Sequence, residues 1–266
     1  SVNYVRKDKV IIKEIKGGHC NNINQLICTE LNDIEHKFYL ISCDESGFIQ
    51  CRNVSNYNTN NDEVYDFKKH EDSVNAMCVN NEYKYLCTAS RDREMRIYSL
   101  PQGVILFKII DTENTLRAID SFSNYIVCAG KDTMIRCYQF GFDIITKKHT
   151  EKEFWCNLRW QYNRHENYLN RIKFIENNNE NEYPHVITCD ANGIILKWDV
   201  DKGDVLNCYG NDDSVNSTMK QPKSDVKLEL FNIVIQFIQL CTFAFVVDID
   251  WGDFNEKYNP FHVISS

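Results

Sequence analysis

Histidines that stand beside carboxylates are the residues of this chain best suited to acid–base chemistry. His70 precedes Glu71 and Asp72, and His165 precedes Glu166. An imidazole oriented by a carboxylate can act as a general base near neutral pH. An active site, however, is a single asymmetric group of side chains, whereas this pairing recurs along the chain. We therefore interpret these histidines as structural turn residues and predict no catalytic residue.

Both histidines belong to a repeated pattern of histidine, three residues, an aliphatic residue and asparagine. The pattern begins at His19, His70 and His165, and weaker copies begin at Thr112 and Asn211. Each of the first four starts is followed by two β-prone runs around a polar turn, which predicts a β-hairpin. A repeat of about 40–50 residues built from short strands is typical of propeller blades.

The repeats resemble the WD40 family of β-propellers over nearly the whole chain outside residues 212–245. In that family a histidine before the first strand, a Ser or Thr in the second, an Asp in the next turn and a Trp in the third strand form a hydrogen-bonded set. For the second unit, the resemblance implies His70, Thr88 or Ser90, Asp92 and Tyr98. For the fourth unit, it implies His165, Thr188, Asn192 and the pair Trp198-Asp199, and elsewhere it implies His19 and Asp132.

Departures from the family pattern predict irregular blades. Arg52 and Tyr138 stand where the first and third units should have Trp, and Thr112 replaces the histidine of the third. The buried polar set is therefore incomplete in some blades, and each unpaired buried polar group costs about 1–3 kcal/mol.

The resemblance implies an all-β domain over residues 1–266, a WD40-like propeller of four-stranded antiparallel blades, about five of them visible. Residues 171–189 align without a gap onto 248–266, so the last residues are expected to open the fifth blade. Residues 1–7 and 10–15 would supply its outer strands and join the two ends, as closed sheets require. The alternative is a fragment of a seven-bladed ring, the commonest number in the family.

Residues 212–245 interrupt the repeat, and we interpret them as an atypical insertion. A membrane span is not expected, because Glu229, Asn232, Gln236 and Gln239 intrude into the apolar stretch. The polar residues fall on one stripe, which favours an amphipathic helix. Blade strands with weak signals, or a segment that is not native coding sequence, are the other interpretations.

Composition and motifs narrow the expected partners, cellular location and chemistry. The net charge of −8, from 30 basic and 38 acidic residues, disfavours a generic nucleic-acid role. Most of the twelve cysteines lie in predicted strands, without a CxxC pair or an opening signal peptide, which favours a reduced cytoplasmic or nuclear protein. No motif for a metal, a cofactor or a common enzyme class is present.

We therefore predict a protein–protein interaction scaffold, a subunit of a larger complex that binds protein or peptide partners through one face of the propeller. Two alternatives remain: a propeller-fold hydrolase, or a substrate receptor of a cullin-type ubiquitin ligase. The adaptor-binding motif of such receptors wants a basic residue where this chain has Asp201.

Two surfaces are candidates for partner binding. By register, equivalent positions at the start of the first strands hold Asn24, Asn75, Arg117 and Asn170, although the asparagines would alternatively cap their own loops. The second candidate is the connection 154–168, whose Trp, Tyr and Arg residues suit an interface. There we predict that Trp155 packs between sheets, that Trp160 and Tyr162 face outward, and that Arg159 is a further candidate for partner binding.

Overall fold

The computed structural model describes residues 2–5, 11–15, 18–31, 37–55, 63–110, 114–144, 152–175, 184–209 and 262–265. For 2–5, 11–15, 143–144, 152–153 and 262–265 it describes the backbone alone. The predicted insertion at 212–245 lies outside these residues. None of the described residues forms a helix long and apolar enough to cross a lipid bilayer.

Strands fill the described part of the chain and assemble into four antiparallel sheets of four strands and one sheet of three. The strands β1 (Val2–Val5) and β2 (Ile11–Ile15) come first. The first full sheet contains β3 (Ile23–Leu31), β4 (Lys37–Asp44), β5 (Ile49–Asn53) and β6 (Val64–Asp66). The second contains β7 (Val74–Asn80), β8 (Tyr85–Ser90), β9 (Met95–Ser99) and β10 (Ile105–Ile109).

The third sheet contains β11 (Leu116–Phe122), β12 (Tyr125–Gly130), β13 (Met134–Ile144) and β14 (Lys152–Asn163). The fourth contains β15 (Leu169–Ile175), β16 (His185–Asp190), β17 (Ile195–Asp199) and β18 (Val205–Tyr209), and β19 (His262–Ser265) comes last. Each of these four sheets pairs its strands in chain order, so the four predicted hairpins are confirmed.

Apolar cores lie between successive sheets. Leu31 and Ile41 of the first sheet pack with Leu86 and Tyr98 of the second. A second core joins sheets two and three, and a third core joins sheets three and four. The first strands of successive sheets, β3, β7, β11 and β15, contact one another in that order. Sheets packed face to face around their first strands are blades of a propeller, as predicted.

The three-stranded sheet brings the beginning of the chain to its last described residues. β1 pairs antiparallel with β2 on one side and with β19 on the other. The strand β19 starts at His262, the residue that aligns with His185 at the start of β16. Strands β1 and β2 therefore occupy the outer positions predicted for them, while 246–251, the predicted first strand of this blade, lies outside the described residues.

Trp160 was predicted to face outward, and this prediction is wrong. Its side chain is buried between sheets three and four, with its ring parallel to that of Trp198 at 5.9 Å between centroids. The indole Nε1 donates a hydrogen bond to the carbonyl of Val200 at 2.8 Å. The strand β14 bulges at Arg159, opposite Cys137 and Tyr138. That extra residue breaks the alternation by which the sequence would have revealed a buried strand.

The other residues of this connection are placed as follows. Trp155 lies on β14, the fourth strand of its sheet, where its indole covers the backbone of Gly141 across the strand pair. Tyr162 is half-buried and stacks on Trp160. Arg159 is exposed and pairs with Asp201, which follows the third strand of the next sheet, at 2.7 Å.

Trp160→Ala is expected to lower the free energy of unfolding by about 3–5 kcal/mol, because it removes a buried ring between two sheets. Urea unfolding followed by circular dichroism measures the change. Arg159→Ala at the neighbouring exposed position is the control, with an expected cost below about 1 kcal/mol. Equal losses in the two variants would contradict the buried position of Trp160.

Candidate functional site

A chain of buried hydrogen bonds ties the loop before the fourth sheet to the turn between β16 and β17. Trp198 Nε1 donates to Thr188 Oγ1 at 2.8 Å, and the same hydroxyl contacts His165 Nε2 at 2.8 Å. His165 Nδ1 contacts Asp190 Oδ2 at 3.0 Å. The other carboxylate oxygen, Oδ1, accepts from the backbone N–H of Asn192 and Ile194, at 2.9 Å each. Loop, strand and turn are therefore held as one unit.

The sequence predicted Asn192 in the position where the family has Asp, and this prediction is wrong. The residue that contacts the histidine is Asp190. The side chain of Asn192 instead accepts a hydrogen bond from Asn167. Asp190 ends the second strand, whereas Asp92 of the second sheet lies two residues further on, in the turn, with Ser90 ending the strand. A carboxylate from either position reaches the histidine. The contact therefore needs an aspartate, but the aspartate can stand at the end of the second strand or in the turn.

The first and second sheets form the set in these two different ways. In the first sheet His19 contacts Asp44 at 2.8 Å and Ser42 at 2.7 Å. In the second sheet His70 contacts Asp92 at 2.7 Å and Thr88 at 2.8 Å, so Thr88 and not Ser90 takes the hydroxyl position. Tyr98 replaces the expected Trp and donates its hydroxyl proton to the carbonyl of Lys68 at 2.9 Å.

His70, Asp92 and Glu94 also lie close enough together to suggest a metal site, with ligand atoms within 4.8 Å of one another. Cationic side chains already neutralise the carboxylates, however, since Arg96 pairs with Glu94 at 2.7 Å and with Asp92 at 3.6 Å. Lys108 also pairs with Glu94. Both ring nitrogens of His70 are engaged, and we interpret the cluster as an ion-pair network.

In the third sheet the described residues do not form the set, as the departures in its sequence predicted. Cys128 stands at the hydroxyl position, and Asp132 pairs with Arg136 at 2.5 Å. The Nη1 atom of Arg136 is buried without a hydrogen-bond partner. Thr112 lies outside the described residues. In the fourth sheet, Asp199 caps the next turn by accepting from the backbone N–H of Asp201 and Lys202.

The four equivalent residues of the first strands, Asn24, Asn75, Arg117 and Asn170, form a row that we call the rim. Each is the extra residue of a β-bulge near the start of its strand. Asn24 Nδ2 donates to Ser73 Oγ at 2.9 Å and to the carbonyl of Val74 at 2.8 Å.

The remaining rim residues repeat this bridging from sheet to sheet. Asn75 Nδ2 donates to the carbonyl of Leu116 at 2.6 Å, and Arg117 Nη2 donates to Asn170 Oδ1 at 3.4 Å. These bonds join neighbouring sheets, and Asn75 Oδ1 in addition accepts a local hydrogen bond from Ser73 Oγ at 3.5 Å. Partner binding at the rim stays a prediction. The second candidate surface, on the outer strand β14, lies apart from it.

Burial controls the protonation of the buried histidines. It lowers the pKa of His70 and His165 below the ordinary value of 6.5, although Asp92 and Asp190 oppose the shift. Burial alone would raise the pKa of Asp92, but hydrogen bonds from His70 and from two backbone N–H groups lower it to about 2. Each histidine is thus neutral, donates from Nδ1 to a carboxylate and accepts at Nε2 from a hydroxyl.

Comparison with known proteins agrees with this geometry. Residues 61–99, the second unit, match the family described as "WD domain, G-beta repeat". The resemblance to WD40 repeats is confirmed. A search of curated proteins found no match.

Several solved structures are similar to this chain, and two of them are WD40 repeat proteins. "Structure of U3-55K" superposes with a TM-score of 0.54 at 11% identity over 78% of this chain and 54% of that one. "Crystal structure of RRP9 WD40 repeats" gives 0.54 at 12% identity, over 77% and 53%. The computationally designed Ika4 protein gives 0.51 at 16% identity, over 69% and 94%. The chain spans about half the length of the first two.

Acid is expected to destabilise the protein in two steps. An unfolded histidine binds a proton near pH 6.5 and the folded ones only at lower pH, so the free energy of unfolding falls as the pH drops below 6.5. Asp92 adds a second loss between its ordinary pKa of 3.8 and about 2. Urea unfolding at pH 7.5, 6.5 and 5.5 measures the first step, and His70→Gln should flatten it. Constant stability over that range would contradict the neutral state of the buried histidines.

Asp190→Ala is expected to cost about 3 kcal/mol of unfolding free energy, because hydrogen bonds to a charged group contribute about 1.5–3 kcal/mol each. Asn192→Ala is the matched control two residues away and should stay within about 0.5 kcal/mol of the natural protein. Thermal unfolding of both variants decides the assignment. A larger loss for Asn192→Ala would restore the original prediction.

Proposed function

We propose that this protein is a non-enzymatic scaffold that binds peptide or protein partners at the rim and the adjoining loops. Proteins with WD40 propellers generally mediate protein interactions and complex assembly. The observation that carries the proposal is the bridging of successive first strands by Asn24, Asn75 and Arg117. It supports a rigid base at one end of the sheets, which lowers the entropy cost of binding there.

The loops around this base carry different side chains in each sheet, which gives a means of specificity. The turn between the second and third strands exposes Glu45 in the first sheet, Arg91 in the second, Lys131 in the third and Ala191 in the fourth. In the first, second and fourth sheets, the histidine sets fix the backbone of these turns without using those side chains. Partner choice would therefore follow from exposed loop residues that differ between the sheets.

Catalysis by the repeated histidines is not part of the proposal, for a geometric reason. His70 is 1% exposed and His165 is 4% exposed, and both ring nitrogens of each are engaged. A general base must reach the proton that it removes. Neither a cofactor nor a metal is needed for the proposed role.

The proposed partners are proteins, and the protein is proposed to act as a subunit of a larger complex rather than on nucleic acid or membranes. The net charge of −8 supports the first exclusion. The cytoplasm or nucleus is the proposed location, since buried thiols such as Cys43, Cys87 and Cys128 pack as apolar residues of the cores.

A double variant on the rim side, Arg91→Ala with Tyr168→Ala, is expected to lose partners in affinity purification with quantitative mass spectrometry. Both side chains are exposed, so folding should be unchanged. Val104→Ala with Leu206→Ala is the matched control, because these exposed residues lie away from the rim turns, beside the hairpin ends and outer strands. Loss in the control alone, or no specific partner for the natural protein, would overturn the proposal.

A further inference from the structure

Arg117 differs from the arginines that bridge elements elsewhere in the protein, because it has no carboxylate partner. Arg96 pairs with Glu94 and Arg159 with Asp201, each at 2.7 Å. Arg117 is half-buried, and within the described residues no carboxylate lies at ion-pair distance from it. In a chain with net charge −8, an unneutralised, partly desolvated cation is unexpected.

The guanidinium has only weak partners. Its Nη2 lies 3.4 Å from Asn170 Oδ1, near the limit of a hydrogen bond, and its Cζ lies 4.9 Å from the centre of the Tyr168 ring. Tyr168 is 38% exposed, so the pair borders solvent. A guanidinium carries five N–H donors, and most of those of Arg117 are therefore available.

The other rim positions differ in how many of their amide protons they donate to described residues. Asn24 gives its amide protons to Ser73 and Val74, and Asn75 gives one of its own to Leu116. Asn170 accepts from Arg117, and its own Nδ2 donates no hydrogen bond to any described residue. The guanidinium of Arg117 and the amide of Asn170, near the starts of β11 and β15, therefore hold most of the unused donors of the rim.

Two further cations at this end of the rim have no carboxylate partner among the described residues. Arg171 follows Asn170, is half-buried and has no ion pair within the described residues. Lys131 is exposed, and its backbone N–H donates to the carbonyl of Thr115 at the approach to β11. The exposed Glu166 is the acidic residue described in the adjoining loop. Asp132, the residue after Lys131, is already paired with Arg136, so it does not neutralise Arg117, Arg171 or Lys131.

We propose that this end of the rim binds an aspartate or glutamate side chain of an acidic peptide segment. The two carboxylate oxygens match the parallel N–H groups of a guanidinium, and Asn170 supplies a further donor. The ring of Tyr168 forms the wall against which the neighbouring residue of the peptide packs. This inference rests on the proposed function and specifies the chemistry of the partner.

The probe is a phage-displayed library of random twelve-residue peptides, selected on the full chain. Selected peptides are expected to be enriched in Asp and Glu, and Arg117→Gln should weaken their binding at least tenfold. Arg117→Lys keeps the positive charge but loses the two parallel N–H groups of the guanidinium. Its affinity for the peptides should lie between those of the natural protein and Arg117→Gln. Raised salt should also weaken binding to the natural protein. Arg159→Gln, an arginine on the outer strand β14, is the matched control and should leave the affinity unchanged.

A double-mutant cycle separates direct contact from a structural effect of Arg117. Changing the acidic residue of the peptide to its amide should weaken binding to the natural protein and have little further effect on Arg117→Gln. Thermal unfolding confirms that Arg117→Gln is folded. Rim-binding peptides without acidic enrichment, or additive losses in the cycle, would overturn this inference and leave the scaffold proposal intact. A library that yields no rim-binding peptide would overturn both.

Discussion

A four-stranded sheet with two apolar faces cannot be stable alone in water, and everything else in this protein follows from that constraint. Each sheet buries its faces against its neighbours, with Ile41 and Leu86 meeting on one side and Val127 and Val186 on another. Burial of apolar area between sheets supplies the main stabilisation. Polar interactions then have a different task, which is to fix how each sheet sits against the next.

Two kinds of polar contact lie at the same end of the sheets, one within each sheet and one between neighbouring sheets. Within a sheet, the histidine sets hold the incoming loop against the turn, as His165 and Asp190 do. Between sheets, rim residues such as Asn75 reach the backbone of the next first strand. The bulge in each first strand matters here, because an extra residue outside the regular pairing has a side chain free to point along the row. The same residues thus join neighbouring sheets and fix the position of the rim.

Much of the architecture is predictable from the sequence because hairpins are local. Alternating runs around polar turns identify β8–β9 and β16–β17, and the internal alignment anticipates β19 opposite β1. Features that depend on a shift of one or two residues are not predictable in this way. Trp160 lies beyond a bulge that breaks the alternation, and the acid of the fourth sheet comes two residues earlier than in the second.

At the rim, too, the positions are predictable from the sequence but their partners are not. Its four positions are recognisable from the repeat, but their hydrogen-bond partners lie in the next sheet, more than 40 residues away. From the sequence alone, hydrogen bonds of the asparagines to their own loops were the natural expectation, because the sequence shows which residues are near along the chain and not which are near in space. The unusual state of Arg117 could be found only by comparing its surroundings with those of Arg96 and Arg159.

The aspartate that contacts the histidine stands at different sequence positions in different units, and this affects how such repeats are detected. A sequence profile assigns each residue type to a column, so Asp44 and Asp190 fall where Ser90 stands in the unit that the WD40 profile matches, residues 61–99. The hydrogen bond to histidine is nevertheless made in all three sheets. Homology searches based on columns will therefore undercount blades of this type, whereas a search for the spatial triad of imidazole, hydroxyl and carboxylate would recover them.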